Sequence, residues 1–234
     1  MSTTEPPQIS PSPREPKIYA VWLALGALAS VALMTHHPTA SGSDLAAVVQ
    51  SLARIAALSA FVHGGMIAAL GALAFGFQGA LRALGPARPA LRAAWLCFAS
   101  GALFLCGAAV TNGFVVGRLA ERYVGTDGAT LESLRPILRL CHAVNQSLAE
   151  LGTCALAMGI AACSLVLLSR GKRGRSLGLA GLALGLLTVL GLTSDLLVLD
   201  VHGMGYFVLA QALWLLALAV LLRALSSPGA ARGA

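Results

Sequence analysis

Charge is what this chain has least of. Only 11% of its 234 residues are Asp, Glu, Lys or Arg, against roughly 25% in an ordinary soluble domain. A soluble chain of this length needs a polar face on most of its helices, and the side chains to make those faces are missing. Aromatic residues are also scarce, at 6%. Five of the ten prolines fall before Lys17, and none lies inside a long apolar run. The five cysteines, Cys97, Cys106, Cys141, Cys154 and Cys163, form no CxxC pair, so neither a dithiol redox motif nor a zinc knuckle is encoded. No HExxH or HxxxH motif occurs, and no glycine cluster stands in a strand-turn-helix context, which excludes the usual dinucleotide and phosphate loops.

What remains is apolar. Hydrophobic residues make up 57% of the chain and the mean hydropathy is +0.81. Six apolar runs are each long enough to cross about 30 Å of hydrocarbon: about 18–34, 45–77, 93–116, 138–168, 177–197 and 203–222. The predicted fold is therefore all-α, a compact bundle of six transmembrane helices spanning 18–225. Residues 1–17 read as a disordered polar leader and 226–234 as a short tail. A short interfacial helix is expected near 131–139. Glycines in the fourth and fifth runs, Gly152 and Gly159, then Gly178, Gly181 and Gly185, suit close helix approach in lipid.

Basic residues set the orientation. Eleven of the sixteen Lys and Arg fall in the leader, after run two, after run four and in the C-terminal segment; the other five fall on the opposite side. The positive-inside rule then places both termini in the cytoplasm of a cell inner membrane. The same distribution accounts for the net charge of +7 without nucleic acid as a partner.

Polar residues within the runs carry the functional signal. Asn112 lies 20 residues from Arg92, Glu150 20 from Arg170, His63 19 from Arg82 and His202 21 from Arg223. At 1.5 Å per residue these intervals are all about 30 Å. With Asp195 20 residues from Arg175 and His36 19 from Lys17, each of the six helices thus offers a polar group near the outer edge of the membrane core. His142, Gln146 and Glu150 recur every four residues and suggest the wall of a cavity. Tyr206 follows His202 by one turn. The expected pocket is outward-facing and lined by His63, Asn112, His142, Gln146, Glu150, His202 and Tyr206, with the 117–139 connection as a lid.

Several functions fit such a layer. His63, His142, His202 and Glu150 supply the nitrogen and oxygen donors of a transition-metal site, or histidines for haem. Equally, the pocket suits a small amphipathic ligand. An enzyme acting on a lipid-like substrate at the outer face would use His63 or His142 as general base with Glu150 or Asp200, although no motif marks Ser147 or Ser194 as a nucleophile. A proton-coupled transporter would titrate Glu150 with His63. A structural subunit of a membrane complex would use the polar groups only as glue between helices. The lipid bilayer is the partner common to all five readings.

Overall fold

The structure is a computed structural model that describes residues 15–85 and 89–225. The leader up to Arg14 and the tail from Ser226 lie outside the described residues. Glu15 to Lys17 belong to the first helix.

Seven α-helices are present among the described residues: α1 (Glu15–Thr35), α2 (Leu45–Ala83), α3 (Pro89–Val110), α4 (Val116–Tyr123), α5 (Gly128–Leu167), α6 (Gly171–Thr193) and α7 (Val201–Leu225). A π-helical turn, Thr111–Val115, joins α3 to α4 without a break. Counting α3 through α4 as one, six helices are long and apolar enough to cross a membrane. Large apolar side chains such as Phe61, Leu103, Leu187 and Val220 are each more than 65% exposed. An apolar belt of that extent is unstable in water and at rest in lipid. The chain is a polytopic membrane protein.

Two of the spans overshoot. With 39 and 40 residues, α2 and α5 are about 60 Å long, roughly twice the hydrocarbon thickness. Each starts at an aspartate cap. The Asp44 carboxylate accepts the Ala47 N–H at 2.9 Å, and the Asp127 carboxylate accepts the Thr130 N–H at 3.0 Å. No separate helix forms over 131–139, because α5 runs through Pro136. That proline removes one hydrogen bond to a carbonyl on an exposed stretch of helix, where water can serve it.

The connection after the third span is not the expected lid. Residues 117–139 form α4, a tight turn with Gly125 at φ +77°, and the first turns of α5. They pack against the start of α2 through Val49, Ala120 and Leu134. None of them lines the cavity described below.

The spans close into a ring. Neighbouring pairs run α1–α2, α2–α3, α3–α5, α5–α6, α6–α7 and α7–α1. Glycines form its seams. A methyl group added at Gly101 would stand 2.7 Å from the Gly152 carbonyl oxygen and 2.7 Å from the Leu156 nitrogen, so α3 and α5 touch backbone to backbone. Gly185 of α6 meets the Ala157 carbonyl of α5 in the same way. In lipid, where apolar burial gives little drive, such close approach supplies dispersion contact.

At the end of the ring where α2 and α5 terminate, near 84–85 and 168–170, the centre is solid. Phe77 stacks on Phe98 with ring centres 4.2 Å apart, and Trp214 stands 6.5 Å from Phe77. Leu156, Ile160, Leu215, Leu218 and Leu222 fill the space around them and are fully buried. The Trp214 indole N–H donates to the Leu177 carbonyl at 3.0 Å, so the indole nitrogen is paired. The opposite end is hollow.

Candidate functional site

The hollow end holds a cavity of about 530 Å³, within the range of small-molecule sites. Five helices line it, and each does so over the same interval: Ser30 to His37, His63 to Leu70, Leu105 to Asn112, His142 to Ala149, and Val201 to Val208. Seven residues are about two turns, so the cavity is roughly 10 Å deep. His37, His63, Asn112, His142, Asn145, Gln146 and Asp200 supply the polar groups, mostly toward the mouth. Leu70, Leu105 and Val208 form the floor, with Met34, Met66 and Met204 between. Beneath the floor, a void of about 40 Å³ borders the amide of buried Gln211.

His63 anchors the polar rim. It is only 3% exposed. Its Nδ1 stands 2.8 Å from the Ser59 carbonyl oxygen, which can only accept, so Nδ1 carries the proton. Its Nε2 lies 3.2 Å from the Asn112 Nδ2 and, in the neutral ring, accepts from that amide. An imidazolium at this place would oppose N–H to N–H until the Asn112 amide turned over.

Local backbone explains why those two side chains meet. Asn112 sits on the π-helical turn, a local widening common at functional sites. Gly113 beside it allows His63 to pack directly on the backbone of the π-helical turn: a methyl group there would stand 2.7 Å from the His63 Cγ and closer still to its Cβ. The Thr111 hydroxyl donates to the Gly107 carbonyl at 2.9 Å, in the last α-helical turn before the widening.

His37, just past the end of α1, meets His63 edge to face with ring centres 4.9 Å apart and planes at 72°. Its Nδ1 is buried and has no hydrogen-bond partner. Burial, then the nearby His63, hold the His37 imidazole below its ordinary pKa, and the Pro38 carbonyl partly offsets them. Burial thus favours the neutral His37 ring. Two imidazoles in this contact cannot flank a porphyrin.

No family model, curated protein or solved structure matches this chain. Its site is therefore read from its own residues.

Of the seven residues expected at the pocket, His63, Asn112, His142 and Gln146 line the cavity, whereas Glu150, His202 and Tyr206 do not. The last three are exposed on the outer surface of the bundle, and Tyr206 is 70% exposed. Helix geometry gives the reason. At 100° per residue, a step from 142 to 150 rotates a side chain by about 80°, while 142 to 149 returns within about 20°. Ala149, 4% exposed, thus stands over His142, and Glu150 turns outward. On α7 the inward positions are Val201, Met204 and Val208; His202 and Tyr206 lie off that stripe.

The metal set His63, His142, His202 and Glu150 is accordingly not assembled. Among the described residues, no three His, Cys, Asp or Glu stand close enough together to hold an ion. Missed by the sequence reading were Ser30, Met34 and His37 of α1 and its end, and Asn145 of α5. A signal for His37 existed. The backbone N–H of His37 bonds to the Met34 carbonyl at 3.2 Å, continuing the turn that ends α1, and Pro38 stops it there.

Asp200 is the one carboxylate on the lining. Its Oδ1 accepts the Gly203 N–H at 2.7 Å and so caps α7. No Lys or Arg side chain lines the cavity.

Proposed function

We propose that the protein binds a small, uncharged amphipathic molecule in this cavity. The single observation carrying the reading is the layered lining: His37 after α1, His63 on α2, Asn112 on the π-helical turn, His142 and Gln146 on α5 and Asp200 before α7 stand toward the mouth, and the side chains one to two turns deeper are apolar except Ser30. A polar head would meet Asn112, His142 and Gln146, and an apolar body would rest on Leu70, Leu105 and Val208. The absence of lysine and arginine from the lining disfavours an anion. A depth of roughly 10 Å suits a compact molecule, or the first few carbons of a longer chain. The plug of Phe77, Phe98 and Trp214 favours binding over passage.

The basic fringe of the solid end supports the orientation. Arg82, Arg170, Lys172, Arg173 and Arg175 lie there, and the Arg170 guanidinium donates to the Leu84 carbonyl across the two connections. With six crossings both termini share one side. The positive-inside rule makes that side cytoplasmic and turns the cavity mouth outward. A C-terminal green fluorescent protein fusion should fluoresce in a bacterial inner membrane, and an alkaline phosphatase fusion at the same point should be inactive. The reverse pattern overturns the orientation.

Ligand binding is tested by native mass spectrometry of the protein released from membranes in a mild detergent. Leu105→Trp fills the floor of the cavity. It should remove a co-purifying adduct that the parent protein carries, while the melting temperature stays within a few degrees. An adduct of unchanged mass and occupancy in Leu105→Trp, or no adduct on the parent protein after incubation with membrane lipid extract, refutes the reading.

A further inference from the structure

Thioethers gather in this cavity. Of the four methionines after Met1, three line it: Met34, Met66 and Met204. Two of them pair with histidines one turn away. Met34 precedes His37 by three residues at the end of α1, and His63 precedes Met66 by three on α2. Residues three apart share a helix face, and α1 and α2 are adjacent in the ring. Two thioether and two imidazole side chains therefore line the α1–α2 side of the cavity, and the two imidazoles are in contact there.

We propose that Met34, His37, His63 and Met66 form a site for a soft monovalent metal ion, copper(I), on the α1–α2 wall of the cavity. It is a different site from the nitrogen-and-oxygen set that fails to assemble, and it does not depend on the amphipathic ligand.

Three observations carry the assignment. The first is distance. A metal bound by an imidazole nitrogen at about 2 Å stands about 3 Å from the ring centre, so two rings sharing it have centres up to about 6 Å apart. The 4.9 Å between His37 and His63 falls within that reach, at a bent rather than linear angle.

The second is the state of the nitrogens. The proton of His63 is held on Nδ1 by the Ser59 carbonyl. Metal-ligating histidines commonly have this backing bond, which orients the other nitrogen and raises its basicity. The Asn112 amide occupies that nitrogen at 3.2 Å, a long bond that an incoming metal displaces. The buried Nδ1 of His37 has no partner to lose.

The third is charge. All four donors are neutral, and the carboxylate of Asp200 is engaged at the start of α7. The cost of carrying an ion into a low-dielectric site rises with the square of its charge. A divalent ion would find no compensating anion among these donors, whereas a monovalent ion pays about a quarter as much. Thioether and imidazole together select copper(I) over zinc or magnesium.

The test is an anaerobic titration of the purified full-length protein in detergent, with copper(I) supplied as its bicinchoninate complex. The expected result is withdrawal of one copper(I) per chain, undiminished by a tenfold excess of zinc. X-ray absorption should show nitrogen and sulfur scatterers in the first shell. Met34→Leu/Met66→Leu conserves volume, so the fold should survive; it should weaken binding at least tenfold. His37→Gln should do the same. Replacing all five cysteines by alanine should leave the stoichiometry unchanged. If the protein withdraws no copper, or binds equally well in the methionine variant, or loses copper only when the cysteines are removed, the proposal is overturned. Leu105→Trp keeps all four ligands, so copper binding that persists in it separates this site from the ligand reading.

Discussion

Gly113→Ala tests whether the seam between α2 and the π-helical turn is as tight as its geometry implies. The added β-carbon would stand 2.7 Å from His63 Cγ and nearer to His63 Cβ. Ordinary carbon contacts lie at about 3.5–4.0 Å, so about 1 Å must be yielded. Rotating the imidazole does not yield it, because Cβ is bonded directly to the α2 backbone. Either the helices part or the widened turn rewinds, and both move His63 away from its hydrogen bonds to Ser59 and Asn112. Overpacking costs about 1–3 kcal/mol, and two strained hydrogen bonds about 0.5–1.5 kcal/mol each. Alanine in place of helical glycine returns about 0.5–1 kcal/mol. The expected net loss is therefore about 3 kcal/mol, with a spread of about 2. Gly71→Ala is the control, because nothing lies within 4 Å of its new methyl group and it should be neutral or slightly stabilising. Unfolding in micelles, followed through tryptophan fluorescence with Trp214 in the core, compares the two. Equal stability of the two variants refutes the tight seam and with it the account of why His63 is fixed.

Glu150→Gln and Tyr206→Phe should each change stability by less than about 0.5 kcal/mol and leave any co-purifying ligand in place, as surface changes do; Asn112→Ala, which removes the donor to His63, should reduce ligand occupancy in native mass spectra. Asp127 lies outside the membrane, and its carboxyl is held below the ordinary range chiefly by the Thr130 backbone N–H and hydroxyl. Its capping contribution is therefore complete above the unfolded carboxyl value near about 4 and is lost as pH falls through the lower folded one. Hydrogen exchange at Thr130 and Leu131, corrected for intrinsic rate, should accelerate on acidification in the parent protein and show no such pH dependence in Asp127→Asn.

The two coordinates of a residue on a helix were not equally legible. Depth was readable, since counting 1.5 Å per residue from the nearest arginine is insensitive to small errors in helix boundaries. It put His63 and Asn112 at the level where the cavity lies, while His142 and Gln146 were reached through their spacing from Glu150. Azimuth was not, since it advances 100° per residue and a spacing of four drifts by about 40° at each step. The stripe His142–Gln146–Glu150 looked continuous in sequence and leaves the cavity before its third member. Charge added to the error: an intramembrane acid reads as functional by default, yet Glu150 turns outward and neutral Ala149 takes the lining position. The π-helical turn at 111–115 had no sequence signal, and it is what brings Asn112 to His63. His37 lies beyond the apolar run that ends at Met34, although the turn continues to it.

One of the six spans stands apart from the cavity altogether. α6 contributes no residue to the lining, yet it completes the ring through its glycine seam with α5. Leu179, Leu186, Leu187 and Leu190 on its outer face are all more than half exposed. Substitutions on that face are thereby uncoupled from the cavity. The bundle can acquire or lose a neighbour in the membrane along α6 by changing a few leucines, while the chemistry recognised inside stays under separate selection.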